Sequence, residues 1–108
     1  MKTDRELLEL AVKAYGDPNV RVDYSGRRRW IGRNENLGCD VVVTWNPLTD
    51  DGDALRLAVK LEIPVNPFAG KTVAGRDHGL VEKWDDVDPT AATRRAIVRA
   101  AAAIGEAI

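Results

Sequence analysis

The chain contains a single cysteine, Cys39, and a single histidine, His78. A lone cysteine closes no internal disulfide, which fits a reducing compartment and sets the expectation of a cytoplasmic protein. One thiol and one imidazole fall short of the ligand set of a zinc site. As nucleophile and base they would have to meet within hydrogen-bond reach from loop-like segments about forty residues apart, which nothing in the spacing arranges. No G-x-x-x-x-G-K-[ST] is present and no G-x-G-x-x-G opens a helix, so nucleotide-hydrolysis motifs are missing as well. Excess charge is also lacking: Lys+Arg 16 against Asp+Glu 17 leaves a net charge of −1, and no overall field draws the chain to nucleic acid or an anionic membrane. No apolar run reaches the roughly 18 residues that span a bilayer, and the opening MKTDRELLEL carries acids where a signal peptide has a basic region and an apolar core. The composition thus predicts a non-enzymatic protein with no catalytic residues, no cofactor, no metal and no membrane segment.

What is there is ordinary for a folded chain: 108 residues, 44% hydrophobic and 31% charged, enough for one core and one domain over 1–108. Thr3-Asp4-Arg5-Glu6 has the spacing of a capping box. Leu7, Leu8, Ala11, Ala14 and Tyr15 follow as one apolar stripe, and Gly16 ends it, predicting a helix near 4–15. In VRVDY, Val20, Val22 and Tyr24 alternate with Arg21 and Asp23. Ser25-Gly26 then reads as a turn and RRRWIG as the returning strand of a hairpin. Residues 33–38 are polar and glycine-bounded, hence a loop, while Val41 to Trp45 is β-branched and reads as a more central strand.

The stretch TWNPLTDDGDALRLAVKLEI, residues 44–63, reads as a corner between strand and helix. Pro47 bars Asn46 from helical geometry and turns the chain. Thr49 or Asp50 caps the new helix, and Asp50, Asp51 and Asp53 fill its first turn, where acids are favoured by about 0.3–1 kcal/mol each against the helix dipole. Ala54, Leu55, Ala58, Leu61 and Ile63 form the expected buried stripe of a helix near 50–62, with Arg56 and Lys60 opposite. Three carboxylates are also hard oxygen ligands for magnesium or calcium, but DDGD lacks the glycine-at-six, glutamate-at-twelve pattern of a calcium loop, and capping accounts for it. Trp45 is expected as a wall of the core.

Beyond the corner, Pro64 and Pro67 suit an edge strand. KTVAG and GLVEKWD form a second hairpin around residues 75–79. Asp88 caps, and Pro89 starts, a closing helix that runs to near Ala107 with Ala96, Ile97, Ala100, Ala101 and Ile104 buried and Arg94, Arg95 and Arg99 in water. The fold class is α+β, an antiparallel sheet sandwiched by helices in the order α-β-β-β-α-β-β-β-α.

Trp45, Asn46, Pro47, Thr49, Asp50, Asp53 and Ala54, with Ala91, Arg94, Arg95, Ala96, Ile97 and Ala100 of the closing helix, resemble the phage ABA sandwich domain family of small phage and prophage proteins. The likeness in order of elements covers nearly the whole chain. It departs from the family in residues 33–40 and in Arg27-Arg28-Arg29. The resemblance implies an accessory phage protein of α+β architecture and carries no established catalytic residues.

The sharpest local feature is SGRRRWIGR. Arg27, Arg28, Arg29 and Arg33 with Trp30 concentrate guanidinium forks, which bind phosphate or carboxylate in pairs, beside an indole that stacks on a base. Strand alternation splits them, Arg28 with Trp30 on one face and Arg27, Arg29 and Ile31 on the other. The bland alternative is a solvated edge hairpin whose arginines discourage aggregation. These five residues are the candidate ligand or partner site. The expected partner is a host defence protein or a nucleotide-type signal, which the chain would block or sequester. The alternative is a nucleic-acid-binding accessory factor, or a phage morphogenesis or regulatory protein, and self-association into a homo-oligomer is left open.

Overall fold

The computed structural model describes residues 2–16, 20, 21, 29–34, 39–75, 79–85 and 87–108, and for those between 20 and 44 it describes strand pairing only. The chain is α+β. Its elements are α1 (Asp4–Tyr15), β1 (Val20–Arg21), β2 (Arg29–Asn34), β3 (Cys39–Thr44), α2 (Asp51–Lys60), β4 (Val65–Phe68), β5 (Lys71–Ala74), β6 (Leu80–Lys83) and α3 (Pro89–Glu106).

The helix ends follow their local chemistry. Thr3 Oγ1 accepts the Glu6 N–H at 3.2 Å while Glu6 Oε1 accepts the Thr3 N–H at 3.3 Å, completing the capping box. Gly16 closes α1 at φ 74°, a left-handed position open to glycine at little steric cost. Asp50 caps α2 and Asp88 caps α3 by accepting the N–H three residues on.

The strands do not form one sheet. β1-β2-β3 and β4-β5-β6 are two separate antiparallel sheets, with the Asn-Pro corner and α2 between them. Each strand pairs with its neighbour in sequence, so local hairpin closure suffices for both and no described pairing joins β3 to β4. Val20 lies opposite Trp30 and Arg21 opposite Arg29, as a hairpin between those segments requires. Two expectations are corrected here. Arg33 and Asn34 belong to β2 and not to a loop, and β2, not the β-branched β3, is the middle strand.

A helix sandwich around the second sheet is not what forms either. β4, β5 and β6 meet α3 on one face, and α1 and α2 pack on α3 rather than on the strands. Thr72 and Ala74 are fully buried on the helix side, whereas Phe68 at 61% and Val81 at 45% exposure lie on the opposite, open face. α3 is therefore the centre of the molecule. Ala96, Ile97, Ala100 and Ala101 are buried as the periodicity predicts, but so are Ala92, Val98, Ala102 and Gly105, while Ile104 is exposed. A helix wrapped on several sides needs small residues all round. At Gly105 the fit is closest, since a Cβ there would stand 2.0 Å from the Leu10 carbonyl oxygen of α1.

A hydrogen-bond chain ties α3 to the sheet. Trp84 Nε1 donates to Thr72 Oγ1 at 3.0 Å, Thr72 and Thr93 share a 2.7 Å bond, and Thr93 donates to the Pro89 carbonyl at 2.8 Å. With both outer directions set, the Thr72 hydroxyl must be the donor to Thr93, and each hydroxyl in this buried contact is satisfied.

Candidate functional site

The acids of the 44–63 corner are structural, each with its own task. Asp50 Oδ2 accepts the Asp53 N–H at 2.8 Å as the cap. Asp51 pairs with Arg94 at 2.5 Å, and Arg94 also donates to the Leu48 carbonyl, so this arginine is drawn onto the corner and is not left in water. Asp53 is 4% exposed; it accepts the Asn46 N–H at 2.8 Å and Arg56 at 2.6 Å. That hydrogen bond raises the Arg56 guanidinium above its ordinary pKa, against a lowering by desolvation. Asn46 Oδ1 accepts the Leu48 N–H, and the Asn46 carbonyl accepts Thr49 and Asp50, which locks the turn around buried Pro47. Trp45 is 4% exposed, its ring centroid 5.7 Å from that of Tyr15, over which Lys60 Nζ sits at 4.4 Å. On α2 the buried stripe runs through Ala54, Leu57 and Ala58, and Leu55 points outward at 63% exposure. Among the described residues no group of three or more His, Cys, Asp or Glu is placed to hold a metal ion.

Of the arginine–tryptophan site, Arg27 and Arg28 lie outside the described residues, and Arg29, Trp30 and Arg33 are placed by strand register alone, opposite Thr44, Val43 and Asp40. The backbone puts these three on β2, the strand between β1 and β3, with β1 paired to Arg29 and Trp30. His78 also falls outside the described residues, and Cys39 is placed only as the partner of Asn34 at the start of β3.

The structure brings together a site that the sequence reading missed, along α3 and the outer strand β6. A charged cleft of about 510 Å³ lies between Lys2 and Leu7 at the start of the chain, Leu80 and Glu82 on β6, and Arg95 and Arg99 on α3. An apolar cleft of about 590 Å³, lined by Leu61, Ile63, Pro64, Ala100 and Ile104 among others, adjoins it, and both share Leu80 and Ala103. The groove along α3 is this pair of neighbouring clefts. In it, Arg99 Nη1 pairs with Glu82 at 2.5 Å and reaches the Val81 carbonyl at 3.4 Å. Arg95 spans Asp4 at 2.8 Å and Glu82 at 3.8 Å, and Lys2 pairs with Glu106 at 3.0 Å.

The backbone of β6 completes the site. Trp84 N–H donates to the Gly70 carbonyl at 3.0 Å, and the register runs Lys83 opposite Lys71 and Glu82 opposite Thr72. Bonded and non-bonded pairs alternate along an antiparallel ladder. Leu80, Glu82 and Trp84 therefore bond to β5, and Val81 and Lys83 turn their N–H and C=O groups away from it, along the rim of the groove. On the other edge Gly75 N–H donates to the Pro64 carbonyl, and Asn66 faces Val73. By the same alternation Val65 and Pro67 face outward on β4, and Pro67 has no N–H to offer. The β4 edge thus keeps one outward donor, at Val65, and the β6 edge keeps both of its own, at Val81 and Lys83.

No family model, no curated protein and no solved structure matches this chain.

Proposed function

We propose that this protein is a non-enzymatic binding domain that acts stoichiometrically by occupying a partner, and that the partner is a component of bacterial antiviral defence. The observation that carries the binding reading is the groove along α3, floored by paired charges at one end and apolar side chains at the other, and bordered by a strand that keeps outward backbone donors and acceptors. Grooves beside an open sheet edge are a recurrent means of holding a polypeptide. The setting comes from the resemblance of the 44–54 corner and the closing helix to small phage proteins. No helix among the described residues is long and apolar enough to cross a membrane, and blocking a host component in the cytoplasm needs only a complementary surface.

The test is dose. Expressed at graded levels in a bacterium that carries a defence system, the protein should restore plaque formation in proportion to its amount, and extra copies of the target should titrate the protection away. Full protection from a trace of protein would mean turnover and would end the stoichiometric reading. A nucleotide-type signal, or nucleic acid, as the target instead draws on Arg27, Arg28, Arg29, Trp30 and Arg33. Replacing Arg28 and Trp30 with alanine abolishes protection in that case and spares it if the α3 groove is the site. Binding to nucleic acid would also fall steeply with added salt.

A further inference from the structure

We infer that the partner supplies an extended segment that adds to β6 as a fourth, antiparallel strand, with an acidic residue opposite Lys83 and an apolar residue opposite Val81. This deepens the binding reading above and rests on it.

The sheet's asymmetry sets the place. On β4 Pro67 removes one of the two outward donors, whereas Val81 and Lys83 present an N–H and a C=O each on the outer side of β6. Among the described residues the Val81 carbonyl is met by Arg99 Nη1 at 3.4 Å, a distance at which a hydrogen bond is weak. An incoming backbone N–H displaces it readily, and Arg99 keeps its 2.5 Å contact with Glu82.

Charge sets the composition of the segment. Lys71 and Lys83 stand directly opposite each other across β5 and β6, and like charges so placed repel. Their face of the sheet carries Asn66, Phe68, Val73 and Val81 besides, with no acid on any of its three strands. An acidic side chain on a fourth strand, opposite Lys83, neutralises that pair. Two residues further along the same face it meets Val81, 45% exposed, which an apolar side chain covers. The residues opposite Glu82 and Leu80 face the helix side, where the one opposite Leu80 enters the groove at the lining its two clefts share.

A second copy of this chain does not fit. Pairing β6 with itself while keeping the faces aligned puts Leu80, Val81, Glu82 or Lys83 opposite its own copy. With Val81 on the axis Lys83 meets Gly79, with Glu82 it meets Val81 while two glutamates stand opposed, with Lys83 it meets another lysine, and with Leu80 it overhangs the partner strand. None pairs Lys83 with an acid of β6.

The probe is a blocked octapeptide with Asp-Thr-Val-Leu at its centre, reading Asp opposite Lys83, Val opposite Val81 and Leu opposite Leu80. Titrated into the full chain, it should slow amide exchange at Val81 and Lys83 at least ten-fold and leave Leu80 and Glu82, already bonded to β5, little changed. Replacing Asp with Lys in the peptide should weaken binding at least ten-fold, and Lys83→Glu should reverse that preference. N-methylation of the peptide valine, which removes its bond to the Val81 carbonyl and leaves the protein untouched, should weaken binding at least ten-fold, and Val81→Pro should do the same from the protein side. Equal binding by the N-methylated peptide, unchanged exchange at Val81 and Lys83, or no binding at millimolar peptide overturns the inference. So does a dimer in sedimentation that Val81→Pro dissociates. In the plaque assay, a folded Val81→Pro chain that protects fully removes β6 from the mechanism and leaves the binding function standing; a parent chain that never protects in any defended host removes the function itself.

Discussion

The two edges of the β4-β5-β6 sheet are each four residues long and pair with the same central strand, yet they end differently. β4 turns Val65 and Pro67 outward, beside exposed Asn66 and Phe68, and a further strand finds a donor at Val65 but none at Pro67. β6 turns Val81 and Lys83 outward, beside a cleft of about 510 Å³ between α3, β6 and the start of the chain. An open sheet edge invites aggregation unless it is blunted. Proline interrupts one edge; among the described residues the other is guarded by the charge of Lys83 and by one long bond from Arg99 to Val81. A guard made of side chains can be displaced by a ligand, and a missing N–H cannot be restored.

Both edges hang on α3, so unseating that helix breaks the comparison altogether. Ala100→Arg, placing a charge at a position 5% exposed and packed beside Gly75, is expected to abolish the cooperative thermal transition, as followed by circular dichroism. Trp45→Ala, which hollows the corner beside Tyr15, should cost about 3–5 kcal/mol in denaturant unfolding; an unchanged midpoint would refute its place in the core. A smaller loss, about 1–3 kcal/mol, is expected of Thr72→Val, which deprives half-buried Trp84 Nε1 and Thr93 of their partner and should loosen both edges equally in hydrogen exchange. Lys83→Glu sharpens the contrast with the opposite sign: it converts the Lys71–Lys83 opposition into an ion pair and should raise stability by about 0.2–1 kcal/mol. Pro67→Thr should leave stability within about 0.5 kcal/mol at this edge site. It gives β4 an outward donor, and light scattering should then report self-association that the parent chain does not show.

Much of this was legible from local signals. The capping box at Thr3 and Glu6, the Gly16 stop, the caps at Asp50 and Asp88 and the break at Asn46-Pro47 depend on residues within a turn of one another, and the helices begin and end where those residues stand. The edge position of the proline-bearing β4 follows from a missing N–H. Leu55 was misplaced although the spacing held the answer: Ala54, Leu57, Ala58 and Leu61 recur at helical intervals, and Leu55 falls outside them. The tight turn at Ala69-Gly70 was not anticipated, because its left-handed first residue, φ 54°, is an alanine where asparagine or glycine would have signalled it.

The groove lay beyond any such reading. Arg95 and Arg99 are one turn apart and announce a shared face, but Glu82, the carboxylate they converge on, comes from a different hairpin, and Lys2 from the other end of the chain. Burial around α3 is the same kind of fact. Alanine spacing predicted one apolar stripe against a sheet, while the molecule wraps the helix with α1, α2 and three strands, and only the crossing at Gly105 and Leu10 explains why no side chain is tolerated there.

By itself, then, the sequence determined where helices start and stop, which residues turn the chain at the 44–50 corner, and that the corner's acids cap and fill the first turn of α2. These are decided by backbone dihedrals and by hydrogen bonds spanning a few residues, so neighbours in sequence suffice. Only the tertiary structure decided that the strands divide into two sheets, that α3 is buried on several sides, and that β6 is left open along a groove. Those outcomes depend on which distant surfaces exclude water from one another, and apolar burial has no direction or spacing of its own that the order of residues could announce.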